Sequence, residues 1–223
     1  MTDSFRIYGA ELSPYSVKVR AYFRFKQIPH QWIIRSSQVI DEFAKFAKLP
    51  IIPLVVNPQL EGSQDSTLII EQLEAQYPDN SIYPTDTMLN FASCLLEEFG
   101  DEWGNKWMFH MRWARDIDQL SSARRIAQLT QPDADSDELD QLSEQVRQRM
   151  TDRVWFVGSN AQTAPQIEAS FQLAAEQLEV HLTDRPYLLG GRPSFGDFGL
   201  WGQLYNVWTD PTQCAMIEAK MPN

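Results

Sequence analysis

Cysteine is scarce in this sequence: 223 residues contain only Cys94 and Cys214. The two lie far apart and match no metal-ligand spacing, so their simplest reading is two ordinary thiols in a reducing cytoplasm. Positive charge is also short. Lys and Arg number 19 against 30 Asp and Glu, giving a formal net charge of -11 and a pI near 4.7. That balance argues against nucleic acid and anionic membrane as partners, since both call for basic surface. It leaves a small anionic ligand open, because a local field can oppose the net charge. No apolar run approaches the roughly 18–20 residues needed to span a bilayer. The opening Met-Thr-Asp-Ser-Phe-Arg lacks the basic and apolar regions of a signal peptide. No internal repeat or low-complexity tract is present. What the chain does have is 43% hydrophobic and 12% aromatic residues, enough for a substantial core in one large domain or two small ones.

The stretch Phe5 to Lys26 organises the rest. Phe5-Arg6-Ile7-Tyr8 alternates apolar and polar residues and reads as a short strand that Gly9 ends. Ser13 is a good helix N-cap, and Pro14 suits the first helical position, where its missing N–H costs nothing. Apolar residues then recur at Tyr15, Val19 and Phe23 and at Val17, Ala21 and Phe25, with Lys18, Arg20 and Arg24 on the remaining side. A strand thus runs through a short loop into a helix whose first turn exposes Ser13. Such a helix end offers free N–H groups and partial positive charge to an anion.

Further along, Gln31–Ile34 reads as a second strand and Val39–Lys48 as a short helix with Phe43, Phe46 and Ala47 inward. Leu49–Val56 is β-branched and bracketed by Pro50 and Pro53, which suits a strand start or edge. Asn57-Pro58-Gln59 is a turn, Leu60-Glu61 a short returning strand, and Gly62-Ser63-Gln64 a second turn. Asp65-Ser66-Thr67 caps a helix carrying Leu68, Ile69, Leu73 and Tyr77. The order β-α-β-α-β-β-α makes the first two strands parallel through a right-handed crossover, with an antiparallel hairpin at the other edge. A mixed four-stranded sheet with three helices is a thioredoxin-like fold.

From Met88 onward the pattern is helical. Leu89, Ala92, Leu96, Phe99 and Trp103 share a face, with Glu97, Glu98, Asp101 and Glu102 opposite. The helix continues, with a break near Gly104, through Trp107 to Trp113; others follow over Asp116–Leu129, Leu139–Trp155 and from Pro165. Residues 81–88 form the expected linker between an α/β domain, 1–80, and an all-helical domain, 89–223. Ser194 with Asp197 three residues on is a capping-box variant opening an apolar, central helix with Phe195, Phe198, Trp201, Leu204 and Tyr205; both residues are assigned to stability.

Four segments together resemble the glutathione transferase superfamily. Ser13-Pro14-Tyr15-Ser16-Val17-Lys18-Val19-Arg20 is similar to the Ser/Cys-Pro-Phe segment that opens the first helix of serine- and cysteine-type members. Ile52-Pro53 resembles the Val-Pro whose proline is cis, and Asp65-Ser66 the acid/amide–Ser pair at the third helix. Tyr187–Gly191 with Ser194–Asp197 resembles the entry to the buried sixth helix of the helical domain. The four stand in family order from residue 13 to 197, whereas Asp101–Ser159 matches no pattern.

The resemblance implies a cytosolic, homodimeric, serine-type enzyme with glutathione as co-substrate, no metal, and a small hydrophobic electrophile or peroxide as second substrate. Ser13 would donate a hydrogen bond that favours thiolate over thiol. A cis Pro53 would present the Ile52 main chain to the peptide as an added strand. Ser66 would receive the γ-glutamyl carboxylate, and Asp65 the ammonium. Plainer readings stand beside these: Ser13 and Asp65-Ser66 as caps only, Pro53 as a trans edge proline, Tyr8 or Ser16 as the sulfur donor. Trp103, Trp107, Phe109, His110, Met111 and Trp113 either line an apolar electrophile site or form a core or dimer stripe. A non-catalytic binding module of the same architecture is the alternative function. Two departures are visible. Serines at 13 and 16 exclude disulfide exchange through an enzyme cysteine there, leaving peroxide or disulfide reduction by two glutathiones as the side activity. Met221-Pro222-Asn223 falls where members begin another helix, so the chain lacks that helix or is a fragment.

Overall fold

The computed structural model describes residues 4–221. Pro222 and Asn223, where the resemblance calls for a further helix, lie outside the described residues, as do Met1–Asp3 at the start of the segment read for a leader.

Strand β1 (Phe5–Gly9) runs into α1 (Pro14–Phe25) and back to β2 (His30–Ile34), which pairs parallel to β1 in the register Ile7↔Trp32. A short 3-10 turn and α2 (Ile40–Ala44) lead to β3 (Leu54–Val56) and β4 (Gly62–Gln64), then to α3 (Ser66–Gln76). Both later pairings are antiparallel, and the sheet order is β2-β1-β3-β4. This is the expected thioredoxin-like arrangement. Alternation along the strands divides the core. Phe5, Ile7 and Val55 pack with Val19, Phe23, Ile69, Ile70 and Leu73 on the α1/α3 face, whereas Tyr8, Leu54 and Val56 pack with Phe43 on the α2 face.

The returning strand differs from the expectation. Asn57 and Glu61 close a turn with main-chain and side-chain hydrogen bonds, Leu60 sits in it at φ 67°, and the strand is Gly62–Gln64. Gly62 is what permits this, because a Cβ there would lie 2.3 Å from the Phe46 carbonyl oxygen. Likewise the helix expected over residues 39–48 is shorter, and only Leu54–Val56 of the proline-bracketed run is strand.

The helical half begins with α4 (Thr87–Phe99), which passes without a break through a π-helical turn (Gly100–Gly104) into α5 (Asn105–Ala114). There follow α6 (Asp116–Thr130), α7 (Ser136–Thr151), α8 (Ala164–Leu182), α9 (Phe195–Trp208) and α10 (Pro211–Lys220). Trp107, Met108, Met111, Ile167, Phe171, Leu200 and Val207 form its main core. Helix α9 is the central helix expected, opened by the Ser194–Asp197 capping box, although Trp201 is half exposed. It crosses α1 so closely that a Cβ on Gly202 would lie 2.4 Å from the Pro14 carbonyl oxygen.

The phase of α4 corrects the sequence reading. Ser93 and Glu97 are buried, and Leu89 and Phe99 are exposed, with Met88, Phe91 and Leu95 forming an outward apolar row. The reason is Lys18. It lies on the side of α1 away from the two apolar rows, yet its side chain is 1% exposed and pairs with Glu97. Glu97 and Asp101 therefore turn inward to meet a buried cation, while Glu98 and Glu102 stay exposed.

Candidate functional site

A cleft of about 500 Å³ opens along the seam of the two halves. Tyr15, Ile51, Ile52, Pro53, Asp65, Ser66, Thr67 and Leu68 supply one wall, and Glu97, Glu98, Asp101 and Glu102 the other. Four of the five expected site residues are thus brought together. The fifth, Ser13, does not line the cleft; Tyr15, two residues on, does.

The Ile52–Pro53 peptide is cis. Among the described residues neither the N–H nor the C=O of Ile52 finds a main-chain partner. The loop before it is fixed by Gln64 at the end of β4. Its Oε1 accepts from the Lys48 and Leu49 N–H groups at 2.9 and 3.0 Å, and its Nε2 donates to the Leu49 and Ile51 carbonyls at 2.8 Å each. One side-chain amide therefore holds the strand-like edge that Ile52 presents.

Asp65 stands at φ 79°, ψ 118°, in the left-handed half of the map that a residue with a Cβ occupies only under constraint. Its Oδ1 accepts from Thr67 N–H at 3.0 Å and Leu68 N–H at 3.2 Å, so the carboxylate caps α3. Ser66 is buried at the first helical position. Its Oγ lies 3.4 Å from Lys18 Nζ, which also donates to Thr67 Oγ1 at 3.1 Å and pairs with Glu97 and, at 2.6 Å, with Asp101. Asp101 Oδ1 is buried without a hydrogen-bond partner. Burial pushes the Asp101 carboxyl up to about 6, against the pull of the Lys18 charge and hydrogen bond.

Ser13 is the N-cap of α1. Its Oγ accepts from Ser16 N–H at 3.3 Å and Ser16 O–H at 2.9 Å. With both acceptor positions filled from inside, its own proton is free to point outward. Ser16 is fully buried beneath it, which removes Ser16 as a donor to an external group. Tyr8 is fully buried too, on the α2 face against Phe43; burial first, and its hydrogen bond to Glu42 second, push its phenol up to about 12. The stripe from Trp103 to Trp113 resolves as core. Trp107, Met111 and Trp113 are buried, and His110 sits between Ser159 Oγ at 2.8 Å and Glu168 Oε1 at 3.3 Å. Among the described residues no group of three His, Cys, Asp or Glu could hold a metal, and no helix is long and apolar enough to cross a membrane.

Sequence reasoning missed Lys18, Gln64 and the inward direction of Glu97 and Asp101. The spacing of Glu97 and Asp101, four residues apart on one helix face, is legible as a charged row. Its partner Lys18 lies 79 residues before Glu97, beyond any local pattern.

A thioredoxin-like sheet half joined to a helical half, with a polar cleft at the seam, defines the class of protein. The sequence comparison narrows it: residues 7–81 match the glutathione S-transferase N-terminal domain and residues 133–223 the glutathione S-transferase C-terminal domain. The chain belongs to the glutathione S-transferase family. No curated protein matches its sequence. Among solved structures it is similar in fold to the beta-etherase LigF of Sphingobium sp. strain SYK-6, at TM-score 0.68 and 18% identity over 98% of this chain and 90% of that one. A glutathione S-transferase of Methylobacterium radiotolerans in complex with glutathione sulfonate gives TM-score 0.57 and 18% identity over 99% and 86%. One from Methylobacillus flagellatus with GSH bound gives 0.57 and 17% over 98% and 90%.

Proposed function

We propose that this chain is a glutathione transferase in which the Ser13 hydroxyl stabilises the thiolate of bound glutathione for attack on a hydrophobic electrophile or a peroxide. The observation that carries the reading is the unpaired main chain of Ile52, held at one wall of a cleft that also contains the N-terminus of α3. An extended peptide needs both: a backbone edge to pair with and a helix end for its carboxylate. The two bacterial transferases with a glutathione-type ligand support the same assignment. In this reading Ile52 and Pro53 hold the cysteinyl backbone, and Ser66, with Lys18 beneath it, receives the γ-glutamyl carboxylate. The ammonium goes to the Asp101 carboxylate, which lines the cleft and has an oxygen that no protein donor engages, in preference to Asp65, whose Oδ1 caps α3.

Ser13 is no base. Its free proton, at a helix N-terminus, donates to sulfur and lowers the thiol pKa, and each unit is worth about 1.4 kcal/mol. The electrophile then takes the sulfur lone pair. A second glutathione would complete the reduction of a peroxide or a disulfide as a side activity. The outward row Met88, Phe91 and Leu95, at 72%, 63% and 58% exposure, suits pairing with a second copy. Unpaired Cys94 and Cys214 suit a reducing cytoplasm.

One observation favours the non-catalytic alternative: Ser13 is absent from the cleft lining. Titration calorimetry with glutathione and turnover of Ser13→Ala decide between the two. The transferase reading expects measurable heat, and a kcat loss of about tenfold in the variant with binding nearly intact. Binding without any turnover, or a variant equal to wild type where chemistry limits the rate, would favour the binding module.

A further inference from the structure

The loop between β1 and α1 is tied down from the far half of the molecule. Arg112, on α5, is buried with a side chain 3% exposed, and its Nη1 donates to the Leu12 carbonyl at 3.0 Å. Its other two nitrogens are anchored elsewhere. Nε donates to Asp210 Oδ2 at 2.8 Å, and Nη2 to the Asn206 carbonyl and Oδ1 at 2.9 and 3.0 Å. Asp210 is fully buried, and its other oxygen accepts from Ser122 Oγ and Arg125 Nη2 at 2.7 Å each. A guanidinium is a planar, rigid fork, so with Nε and Nη2 held by these three hydrogen bonds the direction of the third nitrogen, Nη1, is set.

The Leu12 carbonyl and the Ser13 N–H belong to one planar peptide unit. That N–H donates to the Ala10 carbonyl at 3.1 Å. Both ends of the unit are therefore held, one from within the loop and one by Arg112. The plane of that peptide, together with the Ser13 φ of -107° imposed by its N-cap position, sets the direction in which the Ser13 side chain leaves the backbone. We infer that Arg112 is a positioning residue for Ser13, fixing the Leu12–Ser13 peptide so that the hydroxyl proton meets the ligand sulfur. The inference rests on the reading of Ser13 as thiolate donor.

Arg112→Lys retains a cation for Asp210, but a single ammonium on a flexible stem cannot serve Asp210, Asn206 and Leu12 together. The measurement is the thiol pKa of bound glutathione, followed by thiolate ultraviolet absorbance against pH, in wild type, Arg112→Lys, Ser13→Ala and the double variant. Arg112→Lys is expected to raise that pKa by about half a unit or more, a roughly threefold loss of thiolate below the pKa. In the Ser13→Ala background it should add nothing. An equal shift in both backgrounds, or no shift in a folded Arg112→Lys protein, overturns the inference and leaves the transferase reading standing. No bound thiolate in wild type, or no effect of Ser13→Ala, overturns the transferase reading and the inference with it. Should Arg112→Lys fail to fold, Asn206→Ala removes an anchor of the same guanidinium without touching the charge pair. It is expected to give a smaller shift of the same sign, and its absence has the same overturning force.

Discussion

Asn at position 101 should make this protein more stable and worse at binding glutathione. Lys18 is a single cation facing two carboxylates, Glu97 and Asp101, in a largely buried cluster. The cluster holds one negative charge too many, and Asp101, with an unpartnered oxygen, is the group that yields. Its carboxyl rises from 3.8 to about 6, through burial first, with Glu97 adding to the rise and Lys18 opposing it. Two units correspond to about 3 kcal/mol as an upper bound. The sign follows from proton binding: the folded state holds this proton more tightly than the unfolded one. Its contribution is therefore most favourable below about pH 4, is lost as pH rises to about 6, and stays lost above. Asp101→Asn removes the penalty. In urea unfolding the variant should match wild type near pH 4 and exceed it near pH 7 by up to about 3 kcal/mol, the gap opening between the two. Calorimetry at neutral pH should show the opposite for ligand, with glutathione bound about tenfold more weakly for want of the ammonium's partner. A variant less stable than wild type at neutral pH, or a gap that does not change with pH, would refute the surplus-charge reasoning.

Six of the cleft's lining residues are carboxylates, Glu71 beside Asp65, Glu97, Glu98, Asp101 and Glu102, so a ligand of net charge near -1 approaches against the field. Raising salt from about 20 to about 200 mM should tighten glutathione binding by about twofold; weaker binding in salt would count against this. Gly202→Ala puts a methyl group 2.4 Å from the Pro14 carbonyl oxygen, a backbone atom of the first turn of α1. It should cost about 1–3 kcal/mol by denaturant melt and lower turnover beyond the loss of folded protein, since α1 carries Ser13 at its cap. Leu95→Asp, in the outward row of α4, should convert the proposed dimer to monomers in analytical ultracentrifugation, and an already monomeric wild type would dismiss that pairing.

Part of this architecture is legible in the sequence, and the rest lies beyond what local pattern carries. The β-α-β-α-β-β-α order was legible because each element is short, locally capped and bounded by proline or glycine. The Asp65 cap and the Ser194–Asp197 box were legible for the same reason. Gly62 misled, since a glycine that reads as a turn is here a strand residue pressed against Phe46. The α4 phase misled because periodicity assumes that apolar residues go inward. A buried Lys18 reversed that rule, turning Glu97 inside and leaving Phe91 and Leu95 out. Arg112 gave no signal at all: its partners Leu12, Asn206 and Asp210 are each more than ninety residues away in sequence.

The π-helical turn over Gly100–Gly104 accommodates one residue more than an α-helical turn. Such an insertion offsets the angular phase of everything beyond it. The stretch before it aims Ser93 at α9 and Glu97 at Lys18 of α1 and Thr67 of α3, while the stretch after it aims Trp107 and Met111 at the α8 side of the helical core, demands that a regular helix would have to reconcile. The Asp101 carbonyl inside that wide turn accepts a hydrogen bond from the Tyr15 hydroxyl at 3.0 Å. Deleting a single residue there would rewind the helix, rotate one half against the other by about 100°, and pull directly on the side chain two positions beyond Ser13.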